Sequence, residues 1–388
     1  MQRWKEYKLG ELVKTNKKSI SSNYAFAEIE YLDTGSITQG KIESFQNFKL
    51  SEAPSRAKRL VEENDIIYST VRPIQRHYGF ITNPQENLVV STGFATITAK
   101  KEFLYPKYLY YFLTDDRTVE YLDIIAEAST SAYPSLKPSD IEDLDILLPP
   151  LPTQTAIAEV LSSLDDKIDL LHRQNKTLEQ LAETLFRKWF VEEAEESWEV
   201  ETLEDEFDFT MGQSPKGDTL NEEKNGMIFY QGRSDFGFRF PEPRVYTTAP
   251  TRIAKALDTL VSVRAPVGDM NMAFEECCLG RGVAAFRYKH NNAFFSYTYY
   301  KLRSLMQSIK QFEDSGTVFG SIGKDDFKKL ENIIPPREVI EAFQTEAKPI
   351  DDKILLNHKQ IRTLIQLRDT LLPKLMSGEV RVNKLHGI

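Results

Sequence analysis

Apolar side chains recur at alternating intervals of four and three residues along two stretches of the chain, within 157–189 and within 343–375. This spacing is typical of a helix that packs along one narrow seam against another helix. We therefore predict two long helices, within 149–197 and 335–388, that pair as an antiparallel coiled coil. The alternative is that the two helices are unrelated and that each packs on its own domain. The predicted seam residues are Leu164, Ile168, Leu171, Asn175, Leu178, Leu185, Ile350, Ile354, Asn357, Ile361, Leu364 and Leu371.

Prolines and a glycine mark the limits of the two helices. Pro149-Pro150 and Pro335-Pro336 precede them, where a preceding strand must stop. Pro349 lies inside the second pattern, so we expect a kink or a restart there. Ser377-Gly378 follows the last apolar positions and predicts the end of the second helix.

The chain contains a long internal repeat. Residues 135–190 align with residues 321–376 at a constant offset of 186, and 20 of the 56 aligned positions are identical. Further upstream the match weakens and the offset drifts, as Tyr110-Tyr111 corresponds to Tyr299-Tyr300 and Val71-Arg72 to Val263-Arg264. We infer a duplicated unit in which the helical part is preserved and the part before it has diverged.

One asparagine interrupts each apolar seam, and the repeat predicts how the two meet. Asn175 aligns with Ile361 and Asn357 aligns with Leu171, so the asparagines do not occupy equivalent positions. An antiparallel register that places Asn175 opposite Asn357 also places Leu171 opposite Ile361. Two facing asparagines can satisfy each other and fix the alignment. The alternative is that both asparagines lie near solvent and do not fix the register of the helices.

The two diverged segments, 1–148 and 198–334, have the pattern of mixed α/β domains. Helices are predicted at Tyr105–Leu113 and Phe294–Leu305. Short runs rich in β-branched and apolar residues predict strands. These are Glu28–Leu32, Asp65–Ser69, Leu88–Val90, Phe94–Thr98, Thr259–Val263 and Val283–Phe286. We therefore expect an α+β protein, with two mixed α/β domains joined by the paired helices and related by an internal pseudo-two-fold repeat.

Composition favours a cytoplasmic protein and leaves the nature of its partner open. No apolar run approaches the ~20 residues of a membrane span, and residues 1–6 lack the apolar segment of a secretory signal. The only cysteines are the neighbours Cys277 and Cys278, which cannot staple a fold. The net charge of −9 does not exclude nucleic acid, because binding depends on a local basic face.

Basic residues cluster in three stretches of the diverged segments, interleaved with aromatic and turn residues. Arginine in such loops suits bidentate contact with guanine, and glutamine, as at Gln75 or Gln231, suits adenine. For any single arginine, the alternative interpretation is at least as good: it is an ordinary solvent-exposed charge that contacts no DNA. The candidate DNA-binding residues are Arg56, Lys58, Arg59, Arg72, Gln75, Arg76, Arg233, Arg239, Arg244, Arg252 and Arg264.

The sequence lacks the motifs of the enzymes that would act on such DNA. There is no glycine-rich cofactor turn beside an Asn-Pro-Pro-aromatic loop, and no phosphate-binding P-loop. Asp218, Glu222 and Lys224 lie too close together for a nuclease triad on two strands. We expect no catalytic residue, no metal site and no cofactor in this chain.

Four passages resemble the specificity subunit of type I restriction–modification enzymes, and the resemblance covers essentially the whole chain. Ser135–Pro152 resembles the family's passage from a recognition domain into a helix. Leu185–Val191 resembles the end of its first helix, and Arg368–Leu375 with Ser377–Val380 resembles the end of its second. Val261–Gly268 with Gly280-Arg281-Gly282 resembles a strand–loop segment of its recognition domains. The corresponding first-copy segment, Tyr68–Pro73, matches only partly, so a role carried to it is weaker.

The resemblance implies target-recognition domains at 1–148 and 198–334 and a non-catalytic role in reading a bipartite DNA target. It implies two methyltransferase subunits and restriction (translocase and endonuclease) subunits as partners, which would bind S-adenosylmethionine, ATP and magnesium. A spacer of about 30 helical residues, ~45 Å long, predicts a gap of roughly 5–8 base pairs between the two blocks. Two alternatives remain: a module of a related single-chain restriction–methylation or phage-defence system, and a coiled-coil adaptor that binds no DNA.

Overall fold

The computed structural model describes residues 4–129, 133–314 and 321–382, without the side chains of 312–314. The predicted segments 1–148, 198–334 and 335–388 therefore each include a few residues outside the described part. The chain forms two compact units, Met1–Asp169 with Ile361–Ile388, and Leu170–Gln360. Each long helix contributes residues to both units, so the unit boundaries cut the predicted helical segments rather than follow their ends.

The first unit contains twelve strands in two four-stranded sheets and two small pairs. Its sheets have the strand orders β6-β3-β10-β7 and β2-β11-β8-β9, and β1 pairs with β12 and β4 with β5. The strands are β1 (Lys5–Lys8), β2 (Val13–Thr15), β3 (Glu28–Leu32), β4 (Ile37–Thr38), β5 (Lys41–Ile42), β6 (Gln46–Lys49), β7 (Ala57–Leu60), β8 (Ile66–Ser69), β9 (Tyr78–Phe80), β10 (Leu88–Ser91), β11 (Phe94–Ala99) and β12 (Asp145–Leu148).

Four short helices cover the strands of the first unit: α1 (Leu9–Leu12), α2 (Pro106–Thr114), α3 (Asp116–Glu127) and α4 (Pro138–Glu142). Pro106 occupies the first turn of α2, where its missing N–H has no helical partner to lose. Tyr108 and Leu109 of α2 are fully buried in one hydrophobic core with Ile66 of β8 and Ile97 of β11. Burial of these apolar side chains holds the helices on the sheet.

The second unit repeats this topology with eleven strands: one of its sheets has five strands instead of four, and the small β4-β5 pair has no counterpart among the described residues. Its sheets have the orders β14-β22-β19-β20 and β15-β17-β16-β21-β18, and β13 pairs with β23. The strands are β13 (Glu199–Thr202), β14 (Phe207–Met211), β15 (Leu220–Asn221), β16 (Met227–Tyr230), β17 (Val245–Thr247), β18 (Ile253–Ala254), β19 (Thr259–Ser262), β20 (Met270–Met272), β21 (Cys277–Leu279), β22 (Val283–Tyr288) and β23 (Glu331–Ile334). The short helices are α6 (Leu203–Glu206), α7 (Phe295–Ser304), α8 (Met306–Asp314) and α9 (Lys324–Lys329).

Corresponding strands of the two units pair in the same way. β10 runs parallel to β3 and antiparallel to β7, and β21 runs parallel to β16 and antiparallel to β18. The six strands and two helices predicted from the sequence are all present, with ends that differ by at most two residues. The internal repeat is therefore a repeat of fold, including the segments in which the sequence match is weak.

The two predicted long helices are present: the first long helix is α5 (Leu151–Arg187) and the second long helix is α10 (Arg337–Ser377). The first continues into a π-helical turn, Lys188–Glu192. The second passes through Pro349 as one helix, so of the predicted kink or restart the restart was wrong. Gly378 follows with a φ of +76° and ends the helix as predicted.

In the second unit the two long helices run antiparallel, as predicted. Asn175 contacts Asn357, and fourteen residues further along the first helix Trp189 contacts Phe343, which lies fourteen residues earlier on the second. All twelve predicted seam residues are buried or half-buried. The asparagine pairing predicted from the repeat is confirmed.

The ends of both helices bury a wider face than the predicted narrow seam. In the second unit, Phe186 and Phe190 of the first helix region and Phe343 of the second share one core with Phe207 and Tyr297. In the first unit, the segments 157–161 and 371–376 join the core of its sheet and helices. The alternative of separate packing on each domain therefore holds at the helix ends, whereas pairing holds at Asn175 and Asn357. Among the described residues, no helix is long and apolar enough to cross a membrane.

Candidate nucleic-acid interface

Three loops meet at one end of the strands of the second unit. Gly280 N donates to Tyr230 O over 2.8 Å, and Gly282 N donates to Gln231 O over 3.2 Å. Val263 N donates to Gly282 O over 2.9 Å. These bonds join the turn after β16, the loop after β19 and the turn between β21 and β22. We call the resulting group of loops the second loop cluster.

The second loop cluster contains a cleft of about 540 Å³ with arginines on its walls. Its lining residues are Ser214, Gln231, Gly232, Arg233, Ser234, Arg264, Ala265, Pro266, Arg281 and Gly282. Arg233, Arg264 and Arg281 are exposed. Arg233 forms an ion pair with Asp269, whereas Arg264 and Arg281 have no carboxylate partner among the described residues. Two guanidinium groups are thus available for an anionic or hydrogen-bonding ligand.

Glycines allow the backbones of this cluster to approach closely. A Cβ on Gly282 would lie 2.5 Å from Gln231 O, and a Cβ on Gly280 would lie 2.8 Å from Gln231 Cα. Both distances are too short for any side chain to be added without a backbone shift. The Gly280-Arg281-Gly282 sequence therefore places Arg281 beside Gln231 at the cleft.

Asp235 orders the turn that carries Arg233. Its Oδ2 atom accepts hydrogen bonds from Gln231 N at 2.7 Å and Gly232 N at 3.3 Å. The other carboxylate oxygen, Oδ1, pairs with Arg244. Arg244 thus supports the turn, although its side chain is 57% exposed and one face remains open.

The first unit builds the equivalent first loop cluster from different residues. Thr70 N donates to Gly93 O over 2.8 Å, and Thr92 N donates to Arg56 O over 2.8 Å. Arg56 and Arg72 are exposed and have no ion-pair partner among the described residues. The repeat aligns Gly93 with Gly282. With the same offset, Thr92 occupies the position of Arg281 in the second unit. The two clusters therefore share a backbone frame and differ in side chains.

The loop after β8 holds two arginines in an uncommon backbone conformation. Arg72 has φ +47° and Arg76 has φ +58°, on either side of a short 3₁₀ turn, Pro73–Gln75. A non-glycine residue in this region costs about 1–2 kcal/mol, and such residues occur often at functional sites. Gln75 is exposed on this turn, whereas Arg76 is half-buried and pairs with Asp116 at 2.7 Å.

The remaining candidate residues lie in or next to edge strands. Lys58 is exposed and Arg59 half-buried in β7, and burial lowers the pKa of Arg59. Arg252 is exposed just before β18, and its carbonyl oxygen accepts from Leu279 N at 2.8 Å. Arg56 and Arg252 therefore occupy similar places at the first loop cluster and the second.

The prediction that Arg239 contacts DNA was wrong. Its side chain is 2% exposed and pairs with the carboxylates of Glu179 and Asp351, so it cannot reach a duplex. Burial alone would lower the pKa of Arg239. Asp351, Tyr299 and Tyr300, together with Glu179, outweigh burial and raise it well above its ordinary value, so this guanidinium stays charged.

Two cluster residues were missing from the predicted site, Arg281 and Ser214. Arg281 N donates to Ser214 Oγ over 3.2 Å, which ties the loop after β14 to the cleft. The two glycines that flank Arg281 were a usable signal, because glycines around a charged residue often mark a close backbone approach. No local signal marks Ser214. Within the described ranges, no group of three or more His, Cys, Asp or Glu side chains could hold a metal ion.

Two units of one topology, each with an arginine-bearing loop cluster and each packed on the long helices, define a tandem recognition protein. The family model for the type I restriction modification DNA specificity domain matches residues 1–180 and 195–365, once in each half. The chain belongs to this family. It is a DNA-recognition subunit of a type I restriction–modification system and not a catalytic one, as its sequence predicted.

Individual relatives agree with this assignment. The putative type I restriction enzyme MjaX specificity subunit of Methanocaldococcus jannaschii is 29% identical, covering 96% of this chain and 90% of the relative. The HindI specificity subunit of Haemophilus influenzae is 25% identical, covering 98% and 100%. The S subunit structure from M. genitalium is 18% identical over 96% of each chain with a TM-score of 0.58, a likeness that shows the fold.

Proposed function

We propose that this chain reads a two-part sequence in duplex DNA, and that each unit contacts one block through its loop cluster. The observation that carries the proposal is the repetition of the cluster. An equivalent bond joins the loops in both units, Thr70 N to Gly93 O in the first and Val263 N to Gly282 O in the second. Both clusters bear exposed arginines without carboxylate partners among the described residues. Arginine can bind guanine bidentately in the major groove, and Gln231 has the amide that suits adenine.

Differences between the clusters support two different blocks. The second cluster has Arg281 and Gln231 beside its cleft, whereas the first has Thr92 at the position of Arg281 and adds Gln75 on a strained turn. Because donor and acceptor patterns on base edges are read by specific side chains, unlike clusters select unlike bases. The target is therefore asymmetric rather than palindromic.

We also propose that the paired helices set the distance between the blocks. The first long helix has 37 residues and the second has 41. About 30 helical residues span ~45 Å, which corresponds to a gap of roughly 5–8 base pairs.

The partners follow from the type of system to which the family belongs. The chain assembles with other restriction–modification subunits and with DNA. We propose two methyltransferase subunits and the restriction subunits, in the cytoplasm, with S-adenosylmethionine, ATP and magnesium bound by those partners. The match runs over 90% and 100% of the two relatives named above, and both carry the name of a specificity subunit.

Selection from a pool of random DNA duplexes tests the proposal. The 388-residue chain is incubated with the pool, and bound duplexes are recovered and sequenced. We expect two enriched blocks with a fixed gap, and affinity that falls steeply with salt because phosphate contacts release counterions. The variant Arg264→Gln/Arg281→Gln should retain the first block and lose the second. Absence of any enriched sequence at low salt, or a single continuous block, would overturn the proposal.

A further inference from the structure

The guanidinium group of Arg239 is buried among two carboxylates and two aromatic rings. Nη1 lies 3.2 Å from Glu179 Oε1, and Nη2 pairs with Asp351 Oδ1. Nη2 also donates to the hydroxyl of Tyr300 over 3.2 Å, and the guanidinium carbon lies 3.4 Å from the ring centre of Tyr299. Moving the Arg239 guanidinium away from these partners would be strongly destabilising, because it would leave a buried charge without an ion-pair partner.

The two carboxylates that bind Arg239 come from two different helices. Glu179 belongs to the first long helix and Asp351 to the second. Arg239 belongs to neither: it lies between the turn Arg233–Asp235 and β17, in the segment that begins at the cleft. We call residues 231–242 the cleft segment. The side chain of Arg239 thus bonds this segment to both long helices.

Further bonds make the cleft segment a single ordered piece. Glu242 N donates to Asp235 O over 2.8 Å, and Met272 N donates to Arg239 O over 2.8 Å. The side chain of Asn271 accepts from Gly237 N at 3.0 Å and donates to Gly237 O at 2.9 Å. Movement of Arg239 would therefore be transmitted to the turn that carries Arg233 and Gln231.

The first unit satisfies the equivalent carboxylate in another way. Asp165, the repeat counterpart of Asp351, accepts from Tyr111, the counterpart of Tyr300, at 2.7 Å. Its arginine partner is Arg368 at 2.9 Å, which belongs to the second long helix itself. The counterpart of Arg368 in the second unit is Ala182, a buried residue of the first long helix. Only the second unit therefore uses an arginine of a recognition segment for this purpose.

We propose that Arg239 is a positioning residue for DNA recognition by the second unit. It fixes the cleft segment on both long helices, so that Gln231 and Arg233 meet the second block of the target in one orientation. The inference rests on the proposed function. It concerns how the second cluster is held, not whether DNA is bound.

The repeat supplies a variant that separates positioning from simple charge balance. In Arg239→Met/Ala182→Arg, an arginine on the first long helix faces Asp351 as Arg368 faces Asp165. This variant restores a cation beside the buried carboxylate without tethering the cleft segment. A second variant, Arg239→Met/Glu179→Gln/Asp351→Asn, removes all three charges together. The matched control is Lys255→Met, which removes an exposed cation of the second unit outside the cleft segment and leaves the buried cluster intact.

The readouts are thermal stability and duplex selection with the full 388-residue chain. We expect at least one of the two rearranged variants to melt near the wild-type temperature, to select the first block unchanged, and to lose or blur the second. Its affinity for DNA carrying both wild-type blocks should fall about tenfold, the loss of a base-reading contact. Arg239→Lys should restore part of the second block, because lysine reaches one carboxylate but lacks the planar fork.

Each other result counts against the inference. A folded variant with a wild-type second block shows that Arg239 serves only the fold. Failure of both rearranged variants to fold shows the same. Loss of both blocks together in a folded variant shows that the effect is not confined to the second unit. If the wild-type chain itself selects no blocks, the proposed function fails first, and the inference falls with it.

Discussion

Asn357 donates a hydrogen bond from Nδ2 to Oδ1 of Asn175 over 2.8 Å, inside the packed helices of the second unit. Asn357 is 0% exposed and Asn175 is 3% exposed. Neither asparagine has an asparagine at its repeat position, so the pair arises from the antiparallel register and not from the duplication. A one-turn slip of either helix would bury both amides against apolar neighbours.

Removal of one partner should cost more than removal of both. In Asn357→Leu, Asn175 is left buried without its partner, and we expect the free energy of unfolding to fall by about 1–3 kcal/mol. In Asn175→Leu/Asn357→Leu, both polar groups are gone, and stability should return close to that of the wild type. Urea denaturation followed by circular dichroism measures the free energy of unfolding of the single and the double variant.

The control for this pair is Thr177→Ala, an exposed site on the same helix, which should change the urea midpoint little. Equal destabilisation by the single and double variants would show that the amide pair is not the source of the effect.

Arg56 should contribute to DNA affinity through its charge at the first loop cluster. We expect Arg56→Gln to weaken binding at low salt and to reduce the slope of log K against log salt by about 0.9 for one lost phosphate contact. Fluorescence anisotropy with a duplex carrying both blocks, at several salt concentrations, gives the slope.

Lys101→Gln provides the matched control for this change. Lys101 is an exposed residue beyond the far end of β11, away from Gly93, and its removal changes the net charge by the same amount. Identical salt slopes for the two variants would mean that only the total charge matters and that the loop cluster has no special part.

Close packing at Gly282 gives a third prediction. Alanine there would place Cβ 2.5 Å from Gln231 O, so the turn must shift and carry Arg281 with it. We expect Gly282→Ala to fold but to bind the second block about tenfold more weakly, the size of one lost base contact. The control is Gly217→Ala, where a Cβ would meet open space. Unchanged discrimination at the second block in a folded Gly282→Ala variant would contradict the placement of the cleft.

The sequence predicted the repeat, the long helices, their register and the main strands, because these depend on periodic patterns within continuous stretches. The heptad spacing and the two asparagines are enough to align the helices before any contact is known. The helix does not restart at Pro349, which is exposed, because Ala347 and Ile354 on either side of it in sequence are buried in the core and hold the helix across the proline.

The site was less predictable, and Arg239 shows why. Its burial depends on Glu179 and Asp351, which lie 60 and 112 residues away in sequence. A local arginine cluster has the same appearance whether its members meet solvent or distant carboxylates. Arg281, by contrast, carried a local signal in its flanking glycines. Long-range charge pairing is therefore what separates the supporting arginines from those at the surface.

Glu206 leads to a prediction on pH. It is 1% exposed and accepts hydrogen bonds from Tyr297 and Asn332. Burial raises the pKa of Glu206 above its ordinary value of 4.5, although nearby Lys301 and these hydrogen bonds oppose the increase. The first unit has the buried Leu12 at the corresponding position, so the fold itself does not demand a carboxylate there.

The direction in which stability changes with pH follows from proton binding to Glu206. Because the folded chain holds the Glu206 proton more tightly than the unfolded chain does, its contribution to stability is greatest below pH 4.5 and is lost as pH rises through the raised pKa. The variant Glu206→Gln has no such ionisation. The stability of the wild type relative to Glu206→Gln should therefore fall as the pH rises above 4.5.

Urea unfolding of both proteins at a series of pH values measures this difference, in which the other carboxylates cancel. Glu201→Gln, an exposed site of β13, should give a curve parallel to that of the wild type. If the Glu206→Gln curve were also parallel to the wild-type curve over the whole range, the carboxyl group would ionise equally well in both states. The net effect of burial at Glu206 would then be balanced by Lys301 and the two hydrogen-bond donors, contrary to the direction argued above.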